Sequence, residues 1–143
     1  MDISCCAWAL SGPEPRALNQ LAELGFAHID VQTHTYATAQ SQAAIDALDI
    51  QVRCVGLSFN MPENAELDSP DRDMRQRAIA HVEQGLEQAS RCGVGAAYVV
   101  PGEDPSRLEY FGESMLRAAD LASERQIALG IEHFPGKALP TAA

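Results

Sequence analysis

Three junctions in this chain follow one rule, and together they narrow the fold more than any other feature. Leu24-Gly25 runs into Phe26–Val31, Cys92-Gly93 into Ala96–Val100, and Arg125-Gln126 into Ile127–Glu132. In each, the end of a helix-like stretch feeds directly into an apolar run. A repeat of strand, loop, helix, tight turn and strand means successive βα units, whose right-handed crossovers build a parallel sheet.

The other segments fit between these junctions. Ile3–Trp8 reads as a first strand closed by Ser11-Gly12-Pro13. A helix follows, with Pro15 in its first turn, Leu18, Leu21 and Ala22 on its apolar stripe and Gly25 as terminator. Phe26–Val31 is the second strand and opens into the polar cluster Gln32–Tyr36. Ala37–Leu48 reads as a weaker, Ala-rich helix and Gln51–Ser58 as the third strand. A polar loop then runs from Phe59 to about Pro70, long for a connection within a compact unit, and such loops often carry function.

Asp71–Arg91 is the clearest helix, with Ala78, Val82, Leu86 and Ala89 along one face. Ala96–Val100 is the fourth strand, ended by Pro101-Gly102. Asp104-Pro105 opens the next helix with an N-cap residue and Pro at its first position, and Leu108, Phe111, Met115, Ala118 and Ala122 supply its buried stripe. Pro140–Ala143 resembles the start of a further helix.

The fifth strand, Ile127–Ile131, drives an apolar run into Glu132, His133, Phe134, Pro135 and Gly136. A short apolar run ending in Pro and Gly reads as a buried strand of a parallel sheet. An ionised Glu within such a strand costs several kcal/mol unless it is paired, whereas at the strand's C-terminal mouth it can face a metal or a substrate. The competing reading makes Glu132 a helix cap or the partner of a surface lysine such as Lys137.

Size and charge restrict the function. A chain of 143 residues, 46% hydrophobic, is expected to form a single domain over residues 1–143. Its net charge of −10 argues against nucleic acid or an acidic membrane as partner, although an acidic surface also simply keeps a protein soluble. Cys5, Cys6, Cys54 and Cys92 form no C-x-x-C pair, so reduced thiols and a cytoplasmic location are expected. The start of the chain is a poor secretion signal, and no apolar run approaches membrane-spanning length.

The succession Gly25-Phe26-x-x-Ile29-Asp30-Val31, Asp71-x-x-x-Arg75-x-x-Ala78-Ile79-x-His81-Val82, Ala89-x-x-Cys92-Gly93, Tyr98-Val99-Val100-Pro101-Gly102 and Ile131-Glu132-His133-x-Pro135-Gly136 resembles the xylose isomerase-like TIM barrels known as sugar phosphate isomerases/epimerases. The resemblance covers nearly the whole chain but about the first half of a family barrel. It implies an α/β fold, a partial TIM (β/α)8 barrel of about four βα units plus a fifth parallel strand, truncated after strand five. It further implies a divalent metal (Mn, Mg, Co or Zn) at the C-terminal mouth, with Glu132 as first ligand. The usual Asp, His and second Glu would come from later strands, so the metal site is expected to be incomplete and isolated activity weak or absent.

Two departures bear on substrate. The ketose 3-epimerase branch carries a further carboxylate at the position of Ala138, and many relatives have His where Val100 stands. In a complete barrel the resemblance implies that Glu132 binds metal through one oxygen and moves the α-proton of an open-chain sugar or sugar phosphate with the other, through an enediolate.

His133 is a candidate substrate contact, but it follows Glu132 and so points to the opposite side of a strand, which suits a place supporting the metal's ligands, or packed behind the barrel, better than that of a ligand. Trp8 could wall a sugar ring, although a lone Trp is more often core. Asn60 could donate to a substrate hydroxyl or to its own turn. His34 reads equally as a substrate contact or as solvated loop. His28 and His81 read as structural or exposed, and the role of Asp30 stays open.

Two other functions compete. An endonuclease IV-like branch of the same superfamily uses many His ligands on a DNA-binding face, against which four His and the acidic balance speak. A non-catalytic half-barrel would expose the edges of its first and fifth strands, inviting assembly with another chain or a homo-oligomer that closes the barrel.

Overall fold

The computed structural model describes residues 3–139, so the helix start expected at Pro140–Ala143 lies outside the described residues. Five strands, β1 (Ser4–Cys6), β2 (His28–Gln32), β3 (Gln51–Gly56), β4 (Ala96–Val99) and β5 (Ala128–Ile131), alternate with α1 (Glu14–Glu23), α2 (Ala39–Ala47), α3 (Arg72–Arg91) and α4 (Leu108–Glu124). The strands form one sheet in the order β1-β2-β3-β4-β5. Every neighbouring pair is parallel. An order that never reverses is that of a barrel wall; a doubly wound sheet has a switch point where the order turns back.

The helices lie against one face of the sheet and hold the core there. Ile29 and Val31 from β2, Val55 from β3, and Ala97 and Val99 from β4 are buried with Leu18, Leu21, Ile45, Val82, Leu86, Phe111 and Leu121. Burying a side chain of this size contributes about 1.5–3 kcal/mol. The alternate residues Asp30, Cys54 and Tyr98 face the other, concave side, as the period of two requires. The α3 stripe is as expected: Ala78, Val82, Leu86 and Ala89 are all buried. His81 and Gln88 share that buried face, so of the two readings of His81, structural or exposed, the structural one is realised.

Several ends differ from the expected bounds. The first strand stops at Cys6, because Ala7–Ala9 wind into a 3-10 turn that carries Trp8 away from the ladder. Asp104 caps a 3-10 turn, Pro105–Arg107, that leads into α4. Thr38 caps α2 by accepting from the Ser41 N–H. The buried fifth strand is also corrected. β5 is an edge strand with Ile131 exposed, since its far side has no neighbour among the described residues.

The long loop after β3 has no regular secondary structure but is packed. Ala65, Leu67 and Ser69 are buried, Ser114 Oγ donates to the Leu67 carbonyl at 2.6 Å, and Arg77 Nε donates to the Asn64 carbonyl at 2.8 Å.

Candidate functional site

At the C-terminal rim the ladder continues one residue past three strands. The N–H of Thr33 donates to the Gly56 carbonyl at 3.2 Å, that of Leu57 to the Tyr98 carbonyl at 2.8 Å, and that of Glu132 to the Val99 carbonyl at 2.9 Å. These bonds fix where each exit loop leaves the sheet. Because Gly130 pairs in register with Tyr98, Glu132 two residues on falls on the concave face with it. Burial, and then the Glu132 carboxylate, push the Tyr98 phenol upward.

Glu132 borders a groove of about 440 Å³ between the exits of β3, β4 and β5. Ser58, Phe59 and Asp68 line it from the β3 side, Val100 to Gly102 from β4, and Phe134 and Lys137 from β5. The β5 exit is shaped by a turn in which Gly136 takes φ 84° and the Lys137 N–H donates to the Phe134 carbonyl at 3.0 Å. The Ala138 N–H then donates to the Gly102 carbonyl at 2.8 Å, closing the loop over β4. Lys137 pairs with Glu103 at 2.9 Å, so the alternative that it neutralises Glu132 is not realised.

Below the groove, Cys6, Asp30, Cys54, Tyr98 and Glu132 line an open concavity on the inner face. Ser4 Oγ donates to Asp30 Oδ1 at 2.8 Å, which gives that carboxylate a structural partner.

An aromatic wall stands beside Glu132. The Trp8 and Phe59 rings are 5.3 Å apart, and Phe59 meets Tyr98 edge-on at 6.1 Å. Gly56 makes this possible, since a Cβ there would stand 2.7 Å from the Phe59 ring. Trp8 retains 37% exposure, so it belongs to the wall and is not enclosed core.

His34 lies at the β2 exit and Asn60 at the β3 exit, a second place on the rim. Both take left-handed backbone, at φ 70° and 57°. Asn60 Nδ2 donates to the Thr33 carbonyl at 2.9 Å, joining the β2 and β3 exits across 27 positions of chain, where a bond within its own turn was weighed. The His34 ring packs edge-on against His81 at 5.2 Å. His133 is exposed beyond the end of β5, so no packing behind the barrel is seen.

Two residues that hold the rim carry no sequence signal of that role. Gln88 receives the His34 N–H on Oε1 and donates through Nε2 to the Thr35 carbonyl, both at 2.8 Å. His81 Nε2 meets the Phe59 carbonyl at 2.8 Å, and its Nδ1 has no partner among the described residues. Their spacing of seven on α3 puts them on one face two turns apart, a pattern usually filled by apolar side chains.

A metal would find little here. Mg²⁺ or Mn²⁺ takes several oxygen ligands, and no group of three or more His, Cys, Asp or Glu among the described residues is placed to hold an ion. The described residues alone therefore do not fit a divalent cation. Among them, no helix is long and apolar enough to cross a membrane.

The family model for the xylose isomerase-like TIM barrel matches residues 18–142. Among solved structures, D-allulose 3-epimerase from Methylomonas sp., in complex with D-allulose, aligns with a TM-score of 0.76 at 15% identity, over 96% of this chain and 52% of that one. D-psicose 3-epimerase from Clostridium cellulolyticum, with D-tagatose, aligns with a TM-score of 0.70 at 17% identity, over 90% and 51%. A sugar phosphate isomerase/epimerase from Parabacteroides distasonis aligns with a TM-score of 0.65 at 13% identity, over 91% and 50%. The chain thus spans about half the length of these structures, and identities this low carry the fold alone. No curated protein sequence matches it.

Proposed function

The chain belongs to the xylose isomerase-like TIM barrel family, and from that premise we propose that it is the N-terminal part of a sugar or sugar-phosphate isomerase/epimerase in which Glu132 moves the proton. The observation that supports this reading is the placement of Glu132 beside an aromatic wall, on the rim where parallel strands release their loops. TIM-barrel chemistry is built on that rim.

The Glu132 carboxylate takes the proton from the carbon next to the sugar carbonyl. The C–H electron pair becomes a carbon–carbon double bond, and the carbonyl oxygen takes up the charge of an enediolate. Isomerisation returns that proton to the former carbonyl carbon while the hydroxyl proton of the first carbon passes to the former carbonyl oxygen; epimerisation leaves the proton on Glu132 and takes another from a second acid on the opposite face of the same carbon. Trp8 and Phe59 press on the apolar C–H faces of the substrate and exclude water, with His34 and Asn60 at the rim beyond them. Glu132 is also proposed as one ligand of a divalent cation whose remaining ligands are other than the described residues. The proton transfer is assigned to protein groups alone. A supporting position for His133 belongs to the same proposal.

Deuterium exchange tests this. A ketose incubated in D2O with a complete barrel that carries these residues as its first half, and with Mn²⁺ or Mg²⁺, should acquire deuterium next to its carbonyl, read by NMR, and Glu132→Gln should abolish the uptake. Uptake that survives in Glu132→Gln, or is absent from the unaltered barrel, counts against the proposal.

One observation favours a second reading, a module that completes its barrel with another chain. The β5 edge is open, with Ile131 at 42% exposure. Sedimentation of the purified chain as a monomer at all concentrations would remove it.

A further inference from the structure

The groove beside Glu132 contains a second carboxylate that no fold requirement explains. Asp68 comes from the long loop after β3 and lines the same groove as Glu132. It is only part-exposed, yet among the described residues its carboxylate has no hydrogen bond or ion pair. Its place depends on a glycine opposite, because a Cβ built at Gly102 would overlap the Asp68 carboxylate. Gly102 thus lets an acidic side chain lie directly against the β4 exit. Loop and glycine fit each other, and the loop is anchored on both sides of Asp68 through Ser114 to the Leu67 carbonyl and Arg75 to the Ser69 carbonyl.

The other charges of the groove are already engaged. Glu66 is bonded to Arg107 at 3.2 Å, and Lys137, the ammonium in the lining, to Glu103 at 2.9 Å. What remains for a ligand, among the described residues, is two acceptor carboxylates, Asp68 and Glu132, with no uncommitted cation beside them in the lining. Hydroxyl groups donate to such acceptors through charge-assisted bonds, whereas a phosphate dianion placed there meets like charge.

We propose that Asp68 is a specificity-determining residue that accepts hydrogen bonds from the hydroxyls of an uncharged sugar and turns phosphate esters away. This rests on the sugar isomerase/epimerase reading and narrows its substrate to the unphosphorylated class. Gly102 acts through Asp68, by leaving room for it.

NMR titration of the full chain with D-fructose and with D-fructose 6-phosphate tests the assignment. D-fructose should shift amides around Gly102 and Glu132, while the phosphate ester should bind at least about tenfold more weakly. Asp68→Ala should weaken D-fructose binding by about tenfold or more. Gly102→Ala, which displaces the carboxylate without removing it, should do the same and serves if Asp68→Ala does not fold. Unaltered D-fructose affinity in either folded variant, or tighter binding of the phosphate ester by the unaltered chain, overturns the role of Asp68 and leaves the isomerase/epimerase reading standing. No response of the unaltered chain to either ligand overturns both.

Discussion

The side chain of Gln88, in the last turn of α3, receives the backbone N–H of His34 at 2.8 Å across 54 positions of chain. Its amide nitrogen returns two bonds to the same loop, to Thr35 at 2.8 Å and Gln32 at 3.3 Å. A helix side chain thereby does for the β2 exit what a sheet neighbour does for a strand. Seven residues earlier His81 does the same for the β3 exit, through the Phe59 carbonyl.

Replacing Gln88 with Leu keeps the volume and removes the bonds, leaving part-buried backbone groups of the β2 exit without these partners. Each such group costs about 1–3 kcal/mol. Urea unfolding of Gln88→Leu should show a loss of at least about 2 kcal/mol. A loss under about 0.5 kcal/mol would mean that water replaces the amide without penalty.

Two helical glycines should respond oppositely to alanine. At Gly85 in α3 a Cβ would stand 2.6 Å from Leu57 Cδ2 and 2.6 Å from Thr33 Oγ1, whereas at Gly112 in α4 nothing lies within 4 Å. Gly85→Ala should destabilise by about 1–3 kcal/mol through overpacking. Gly112→Ala should stabilise by about 0.5–1 kcal/mol through helix propensity. Chemical denaturation of the two variants side by side reads both signs.

Stability should fall on mild acidification because of His81. Burial pushes its imidazole down, the bond to the Phe59 carbonyl pulls back, and His34 pushes down again. A histidine whose folded value is lowered takes its proton more readily in the unfolded chain. Its contribution is therefore full above the unfolded value of about 6.5 and is lost as pH drops below it. The thermal midpoint should fall further between about pH 7.5 and about pH 5.5 in the unaltered chain than in His81→Gln. Equal slopes would show that His81 is not held neutral.

Cys54 should resist alkylation. Burial, with the Asp30 carboxylate adding to it, pushes its thiol up to about 11. The thiolate, the reactive form, is scarce near neutrality. Iodoacetamide at about pH 8 should leave Cys54 unmodified in the folded chain and modify it once urea unfolds the protein, as peptide mass mapping would report. Labelling at the unfolded rate in native buffer would contradict the placement of Cys54 beside Asp30.

The path of the chain through its elements was legible in the sequence, because it depends on local signals. Gly25 and Gly93 take positive φ at the helix ends where they were expected to stop α1 and α3. The apolar runs ending at Val31, Val100 and Ile131 became parallel strands in chain order, the fourth ending one residue early at Val99. Such signals act within a few residues of each other. Glu132 was legible for the same reason, since a strand ending in an acid, Pro and Gly marks its own rim.

The partners of the rim were decided by tertiary structure. That Gln88 reaches His34, that His81 reaches Phe59, or that Asp68 lies against Gly102 depends on which loops the curved sheet brings over α3 and β4. No local pattern encodes those pairs, because a polar residue on a helical stripe or a glycine after a strand has many uses. The exposure of β5 was decided in the same way. Its apolar composition is that of a buried strand, but burial belongs to the surface laid against a strand and not to the strand's own residues.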